Sequence, residues 1–363
     1  IELPEMTSPE KLAALRILSK VVPTAYVAAP QLLPLIVLQQ VNLSIKHGNA
    51  ADSAFAYANY GQILCGAVGD LEKGYQFGKV ALEVLSRLNA RSLFAKTFVI
   101  VYFCIAHWRE HLLKTLKPFQ EAFAIGQETG DIEYGAYAAL NYGIHSYLTG
   151  RELAELSLEM ENYTLQFRQL KQETALNYHE IFRQGVLNLL GFAEENPWQL
   201  IGEAYNEKVM LPVHQSVNDS LAIAHVSTNK LLLAYLFGEY DLAVENAELV
   251  GTYLNEATAF AGIPIYYFYD SLARLAVCPK VESQETTQET QETGFFEKTG
   301  FLKATQETRF FEKTGFQSQI LEKVAAKQKK MRKWADNAPM NYLHKFYLVE
   351  AERHRVLGEK LEA

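Results

Sequence analysis

Apolar residues recur along most of this chain at a spacing near 3.6, and the runs they form end at glycines followed by charged residues. The stretch Leu231-Leu232-Leu233-Ala234-Tyr235-Leu236-Phe237-Gly238-Glu239-Tyr240-Asp241-Leu242-Ala243 gives the pattern: an apolar helix, a glycine, a charged turn, and a small residue opening a second packed face that Ala247 and Val250 continue. Tyr60 to Leu71 repeats it with a Gly69-Asp70 turn, and small residues follow at Gly74, Gly78 and Ala81. Tyr142 to Arg151 is a third, weaker copy, because Glu155 stands where a small residue is expected. A small residue at a crossing lets two helix axes approach to roughly 8 Å, and bulky Tyr and Phe fill the space beside it. The pattern predicts an all-α chain, a right-handed α-solenoid of helical hairpins stacked one on the next. Alternating β-branched residues are scarce, so almost no sheet is expected.

Length agrees with that reading. At 363 residues the chain exceeds the roughly 250–300 residues over which one hydrophobic core keeps growing, yet no Pro/Gly-rich linker appears before residue 279. A solenoid resolves the conflict, since each hairpin packs only on its neighbours; residues 1–363 are therefore read as one unit. The start at Ile1, and a last turn, Gly358-Glu359-Lys360, that runs out at Ala363 where another helix should begin, lead us to expect a piece of a longer polypeptide. One segment, 280–316, breaks the periodicity: Glu292 to Phe301 returns almost unchanged as Glu307 to Phe316, with only Gly294 replaced by Arg309. Its Thr-, Gln- and Glu-rich composition disfavours a packed core, so a flexible inserted loop is expected there.

Charge narrows the possible partners. The net charge is −8, whereas nucleic-acid binding draws on a basic face that releases counterions. The one dense basic run, Lys327, Lys329, Lys330, Arg332 and Lys333, reads as a solvated helix face, the alternative being a docking surface for an acidic partner. Cys65, Cys104 and Cys278 lie in apolar stretches without paired spacing, as expected of reduced, buried thiols in a cytoplasmic protein. The longest apolar run, Phe98 to Ala106, is far too short to cross a bilayer, and no membrane insertion is expected.

Candidate chemistry is sparse. His107-Trp108-Arg109-Glu110-His111 fits the H-x-x-E-H spacing in which two histidines one turn apart bind zinc and a glutamate activates water. Such a site needs a third ligand and a strand-bearing domain, and neither is identifiable. The plainer reading puts His107 and His111 at the end of a Phe94–Trp108 helix, as imidazoliums facing its negative dipole. Gly74 to Val80 has the wrong spacing for a phosphate-binding loop, no nucleophile elbow or dinucleotide fingerprint occurs, and Glu194-Glu195 beside Pro197 reads as a solvated loop edge. No catalytic residue and no cofactor are assigned to this segment.

The most distinctive remaining cluster is Ile263-Pro264-Ile265-Tyr266-Tyr267-Phe268-Tyr269-Asp270. Four consecutive aromatics cannot share one helix face, because 100° steps spread them around the cylinder. Dense hairpin packing is one account. The other is a concave ligand-facing surface carrying Tyr266, Tyr267, Tyr269 and Asp270, with a second edge at Asn341, His344 and Lys345.

The turns match the 34-residue tetratricopeptide pattern. Tyr57 to Gly61, Gly69-Asp70, Phe77-Gly78, His107-Trp108, Glu128 to Tyr134, Asn229 to Leu231, Tyr267 to Leu272 and Ala338 to Asn341 through Leu348 to Glu352, in this order, resemble the helical-repeat segment of very large bacterial signalling proteins. Those proteins join a serine/threonine kinase domain, an AAA or STAND ATPase, this segment, a GAF domain and a sensor histidine kinase. The resemblance covers nearly the whole chain apart from the insert at 280–316. It implies a non-catalytic sensor or scaffold that binds a small-molecule or peptide effector, or domains of its own parent chain, and biases the attached ATPase and kinase. ATP and Mg2+ are then expected only in those other domains. Two other readings stand beside it: a purely structural spacer, and a zinc-dependent hydrolase built on His107, Glu110 and His111.

Overall fold

The computed structural model describes residues 3–253, 259–279, 300–359 and 361–362. Among them fifteen α-helices follow one another: α1 (Pro9–Ala28), α2 (Leu33–His47), α3 (Ala51–Ile63), α4 (Leu71–Arg87), α5 (Phe94–Ile100), α6 (Leu116–Thr129), α7 (Ile132–Leu148), α8 (Leu153–Gln169), α9 (Glu173–Leu189), α10 (Glu207–Ser216), α11 (Ser220–Leu236), α12 (Tyr240–Tyr253), α13 (Gly262–Val277), α14 (Gly300–Asn337) and α15 (Pro339–Leu357). The described residues contain no strand, only isolated bridges at Glu5–Asn49 and Ile201–Asn206. α3 and α5 each run on through one wide π turn, Leu64–Val68 and Val101–Ile105, and these turns hold Cys65 and Cys104. All three cysteines are buried free thiols.

Local chemistry explains the turns. Gly69 adopts φ +74°, the left-handed conformation that glycine enters without a Cβ penalty, and the next residue, Asp70, accepts the Lys73 amide at 3.0 Å as the N-cap of α4. At the α3–α4 crossing a Cβ on Gly61 would lie 2.8 Å from both the Gly74 carbonyl and Ile105 Cδ1. Only glycine allows that approach. The α6–α7 crossing has the same device in Gly126 and Gly135, where a Cβ on Gly126 would lie 2.8 Å from the Gly135 Cα. Ala243, Ala247 and Val250 of α12 are fully buried where α12 packs on α11.

Each of α3, α5, α7, α9, α11 and α13 touches the next in that series, while α4, α6, α8 and α12 pack beside them. The inner series is covered on several sides, so its helices carry polar groups that are buried rather than solvated: Asn141, His145 and Ser146 on α7, Gln184 and Asn188 on α9, Asn229 on α11. Buried amides need partners, and Asn188 donates to the carbonyls of Pro197 at 3.0 Å and Gln199 at 2.6 Å.

The chain also closes on itself. Trp108, at the end of the α5 segment, donates from Nε1 to the Ala259 carbonyl at 3.1 Å and lies 5.5 Å from the Trp334 ring on α14. Ala335, Ala338 and Tyr342 belong to the same core cluster as Tyr57, Leu85 and Ile105. The C-terminal hairpin α14–α15 thus packs on α13 and reaches the segments that follow α3 and α5, through Lys333 to the Gly69 carbonyl and Tyr342 to His107.

Residues 280–299 of the expected insert lie outside the described residues. From Gly300 onward the expectation of a loop is corrected, because the second copy of the repeat falls inside α14. No proline interrupts residues 300–337, and Ala, Gln, Glu and Lys are good helix formers.

Candidate functional site

The aromatic cluster is interior. Tyr266, Tyr267 and Phe268 are buried and Asp270 is fully so, because α13 is surrounded by α11, α12, α14 and α15. Tyr267 packs on Trp334 at 5.1 Å and Tyr269 on Tyr235 at 5.6 Å. Asp270 accepts from Arg274 Nε at 2.8 Å and is ion-paired with Lys327. Lys327 Nζ also sits 5.1 Å from the Tyr266 ring, and Lys330 donates to the Tyr267 hydroxyl at 2.9 Å. These contacts correct two expectations. No open ligand-facing surface is formed by Tyr266, Tyr267 and Asp270, and the basic run is not simply a solvated face. Lys327 and Lys330 turn inward onto α13, and Lys333 donates to the Gly69 carbonyl at 2.7 Å.

The second edge, around Asn341, His344 and Lys345, borders a cleft of about 140 Å3. His111 and Leu112 follow the α5 segment, Leu148 and Thr149 end α7, Ala261 and Ile265 come from the start of α13, and Met340, Asn341, Tyr342, His344 and Lys345 come from the first turns of α15. Asn341 anchors the rim and has no amide hydrogen left for a ligand. Its Oδ1 accepts the Leu112 amide at 3.0 Å and its Nδ2 donates to the carbonyls of His107 at 2.8 Å and Glu110 at 2.7 Å.

Lys345 is the unusual group. Its Nζ donates to the Asn341 carbonyl at 3.2 Å and to His344 Nε2 at 2.8 Å, both neutral acceptors, and among the described residues no carboxylate lines the cleft. Burial holds the Lys345 ammonium down to about 8, since desolvation disfavours the charged form. Burial, and then the neighbouring Lys345 charge, lower His344 as well. His344 Nε2 therefore accepts and its proton sits on Nδ1.

The H-x-x-E-H stretch does not assemble a metal site. His107 is fully buried, with Nδ1 2.6 Å from the Tyr342 hydroxyl and Nε2 2.9 Å from the Ala259 carbonyl. The carbonyl fixes the tautomer: Nε2–H donates to it, and the Tyr342 hydroxyl donates to Nδ1. Burial drives His107 down to about 3, so the expected dipole-facing imidazolium is corrected to a neutral ring inside the core. Glu110 accepts from the Tyr75 hydroxyl at 2.8 Å, and His111 Nδ1 accepts the Leu113 amide at 3.1 Å. Among the described residues no group of three or more His, Cys, Asp or Glu could hold a metal ion, and no helix is long and apolar enough to cross a membrane.

The sequence singled out Asn341, His344 and Lys345 as one edge and His111 only as a metal candidate, but not the Leu148, Thr149, Ala261 and Ile265 walls. No local signal marks those walls. They come from three separate stretches of the chain, around His111, Leu148 and Ala261, and meet only in the folded chain.

No family model matches the chain. Over 167 residues, 45% of its length, it is 27% identical to hybrid signal transduction histidine kinase G of Dictyostelium discoideum. That match spans 5% of the relative's length, so the chain is similar to a small segment of a far larger signalling protein.

Proposed function

We propose that this chain is a non-catalytic, tetratricopeptide-like solenoid segment of a multidomain signal-transduction protein, serving as a sensor and scaffold. It binds a small effector in the cleft beside Lys345 and couples that binding to attached ATPase and kinase modules. The observation that carries the reading is the cleft's composition. One wall is the start of α15, the others are α7, α13 and the end of the α5 segment, so an occupant touches both the C-terminal hairpin and the body it closes on. Coupling of this kind needs only different affinities for two arrangements of the same parts. The partial similarity to a hybrid histidine kinase supports the signalling setting.

The competing reading, a structural spacer, draws on the complete burial of Asp270 and the filling of the space around Tyr267 by Trp334. Thermal shifts of the chain against anionic, neutral and cationic metabolites and nucleotides, with Lys345→Met as control, separate the two. A saturable rise in melting temperature that the variant lacks supports the sensor. Melting unchanged by every compound, with both proteins folded, leaves the spacer.

A further inference from the structure

The cleft's chemistry selects among effectors. Its titratable lining is His111, Tyr342, His344 and Lys345, with no acid in any wall among the described residues. Glu110, next to His111 in sequence, is turned to Tyr75 and Lys114. The Tyr342 hydroxyl is committed to His107. That leaves Lys345, an ammonium with three donors, of which two meet neutral acceptors. It also leaves the ring N–H groups of His111 and His344 on the same lining, since His111 Nδ1 and His344 Nε2 are both accepting. A partly desolvated cation without a counter-charge is unfavourable, and an anionic ligand would supply one. The volume of about 140 Å3 corresponds to about four or five water molecules at ~30 Å3 each, which restricts the occupant to a few heavy atoms.

Resting on the sensor reading above, we propose that the cleft binds a compact oxyanion, a small carboxylate or a phosphate, through the Lys345 ammonium with His111 and His344 alongside. Binding is then linked to protonation. The anion favours charged Lys345, and because burial already holds this group near 8, affinity falls about tenfold per pH unit once the solution is more alkaline than that.

Isothermal titration of the chain with acetate, pyruvate and inorganic phosphate, with acetamide as the uncharged counterpart of acetate, tests the proposal. The expected result is saturable binding of at least one anion, none of acetamide, at least a tenfold loss in Lys345→Met, and partial retention in Lys345→Arg. Weakening from pH 7.5 to 9.5 is expected as well. The carboxylate and phosphate arms distinguish the two sources of the oxyanion. Circular dichroism establishes that Lys345→Met is folded. No heat from any anion, or binding that Lys345→Met or alkaline pH leaves unchanged, overturns the inference. A thermal response to a neutral or cationic compound that Lys345→Met removes overturns it too while leaving the sensor reading intact.

Discussion

Replacing Lys345 by methionine should stabilise the ligand-free protein at neutral pH. Methionine keeps the length and the apolar stem of the side chain and removes the charge. Burial lowers Lys345 from 10.5 to about 8, and at ~1.4 kcal/mol per unit the protonated form costs the fold about 3 kcal/mol at pH 7. Lys345 keeps some solvent contact, and its hydrogen bonds to Asn341 and His344 are lost in the variant at roughly 1 kcal/mol each. A net gain of about 1 to 2 kcal/mol remains. At roughly 2.1 cal/mol/K per residue of unfolding entropy, that gain raises Tm by about 1 to 3 °C for a chain of this size. The pH dependence carries the sign. Below about 8 both folded and unfolded chains hold the proton, so the wild type carries the full cost. Between 8 and 10.5 the folded state has released a proton that the unfolded state still binds, so the wild type gains stability with pH and the gap closes. Scanning calorimetry of both proteins at pH 7, 8.5 and 10 measures this directly. A variant less stable than wild type at pH 7, or a gap that does not change with pH, would refute the argument that Lys345 is a desolvated cation.

Asp270→Asn should cost about 3 to 5 kcal/mol, because it leaves Lys327 and Arg274 facing an uncharged group in the core; a denaturation midpoint within error of wild type would contradict the burial of this ion pair. Gly74→Ala should destabilise strongly, since the new Cβ would overlap Cys65 Sγ and lie 2.8 Å from the Gly61 carbonyl, whereas Gly130→Ala, with open space at Cβ but φ +79°, should lose only the backbone preference, about 1 kcal/mol; equal losses in thermal melts would undermine the crossing argument. Burial holds His107 down to about 3 and His179 and His225 to about 4, so stability present above pH 6.5 is lost as pH falls toward 4, by about 2 kcal/mol per ring at pH 5. NMR should show these rings neutral at pH 5, and titration of any of them near 6.5 would contradict the burial. Tyr342→Phe should cost about 1 to 3 kcal/mol by leaving His107 Nδ1 buried and unpaired, and an unchanged urea midpoint would argue against the closure.

The turns and crossings are legible in the sequence because they are local. Gly69 before Asp70, the small residues at 61, 74 and 78, and the Ala243–Ala247 stripe are each set by one hairpin's own geometry. The placement of the aromatic run is not legible for the opposite reason. Tyr266 to Tyr269 face outward from their own helix in every direction, and only the arrival of α14, many residues later, decides that this exterior is core. The same event turns Lys327 and Lys330 from solvent toward tyrosine rings and Asp270. A basic run at helical spacing looks identical whether its partner is water or a buried carboxylate. His107 shows the limit most plainly. The H-x-x-E-H spacing places it one turn from His111, but its ring is held by Tyr342 and Ala259, residues that no pattern within 150 positions could have supplied. In the sequence Asn341 and Lys345 are alike, polar positions on one helix edge, and their unlike roles, one fully bonded and one short of a counter-charge, emerge only from the closed chain.

The energetics of closure limit how an effector in the cleft could act. The α14–α15 hairpin is held to the body by the three side-chain bonds of Asn341, the His107–Tyr342 bond, the Lys327–Asp270 pair and the Trp334 contacts with Trp108 and Tyr267. At roughly 1 kcal/mol per neutral hydrogen bond, with several more from the buried pair and the indole, release of the whole hairpin costs far more than a ligand can supply. A ligand at 100 times its Kd contributes only about 2.7 kcal/mol. Wholesale undocking is therefore a poor switch for this molecule. The first turns of α15 are the better candidate, because Lys345 and His344 sit beside the anchor at Asn341 and rest on neutral partners. A charge entering the cleft can reorder that turn against His111 and Thr149 without breaking the core behind it. On this account substitutions at Trp334 or Asp270 lower the stability of the chain but leave ligand selectivity alone, while Lys345→Met changes ligand binding and, without ligand, stabilises the chain.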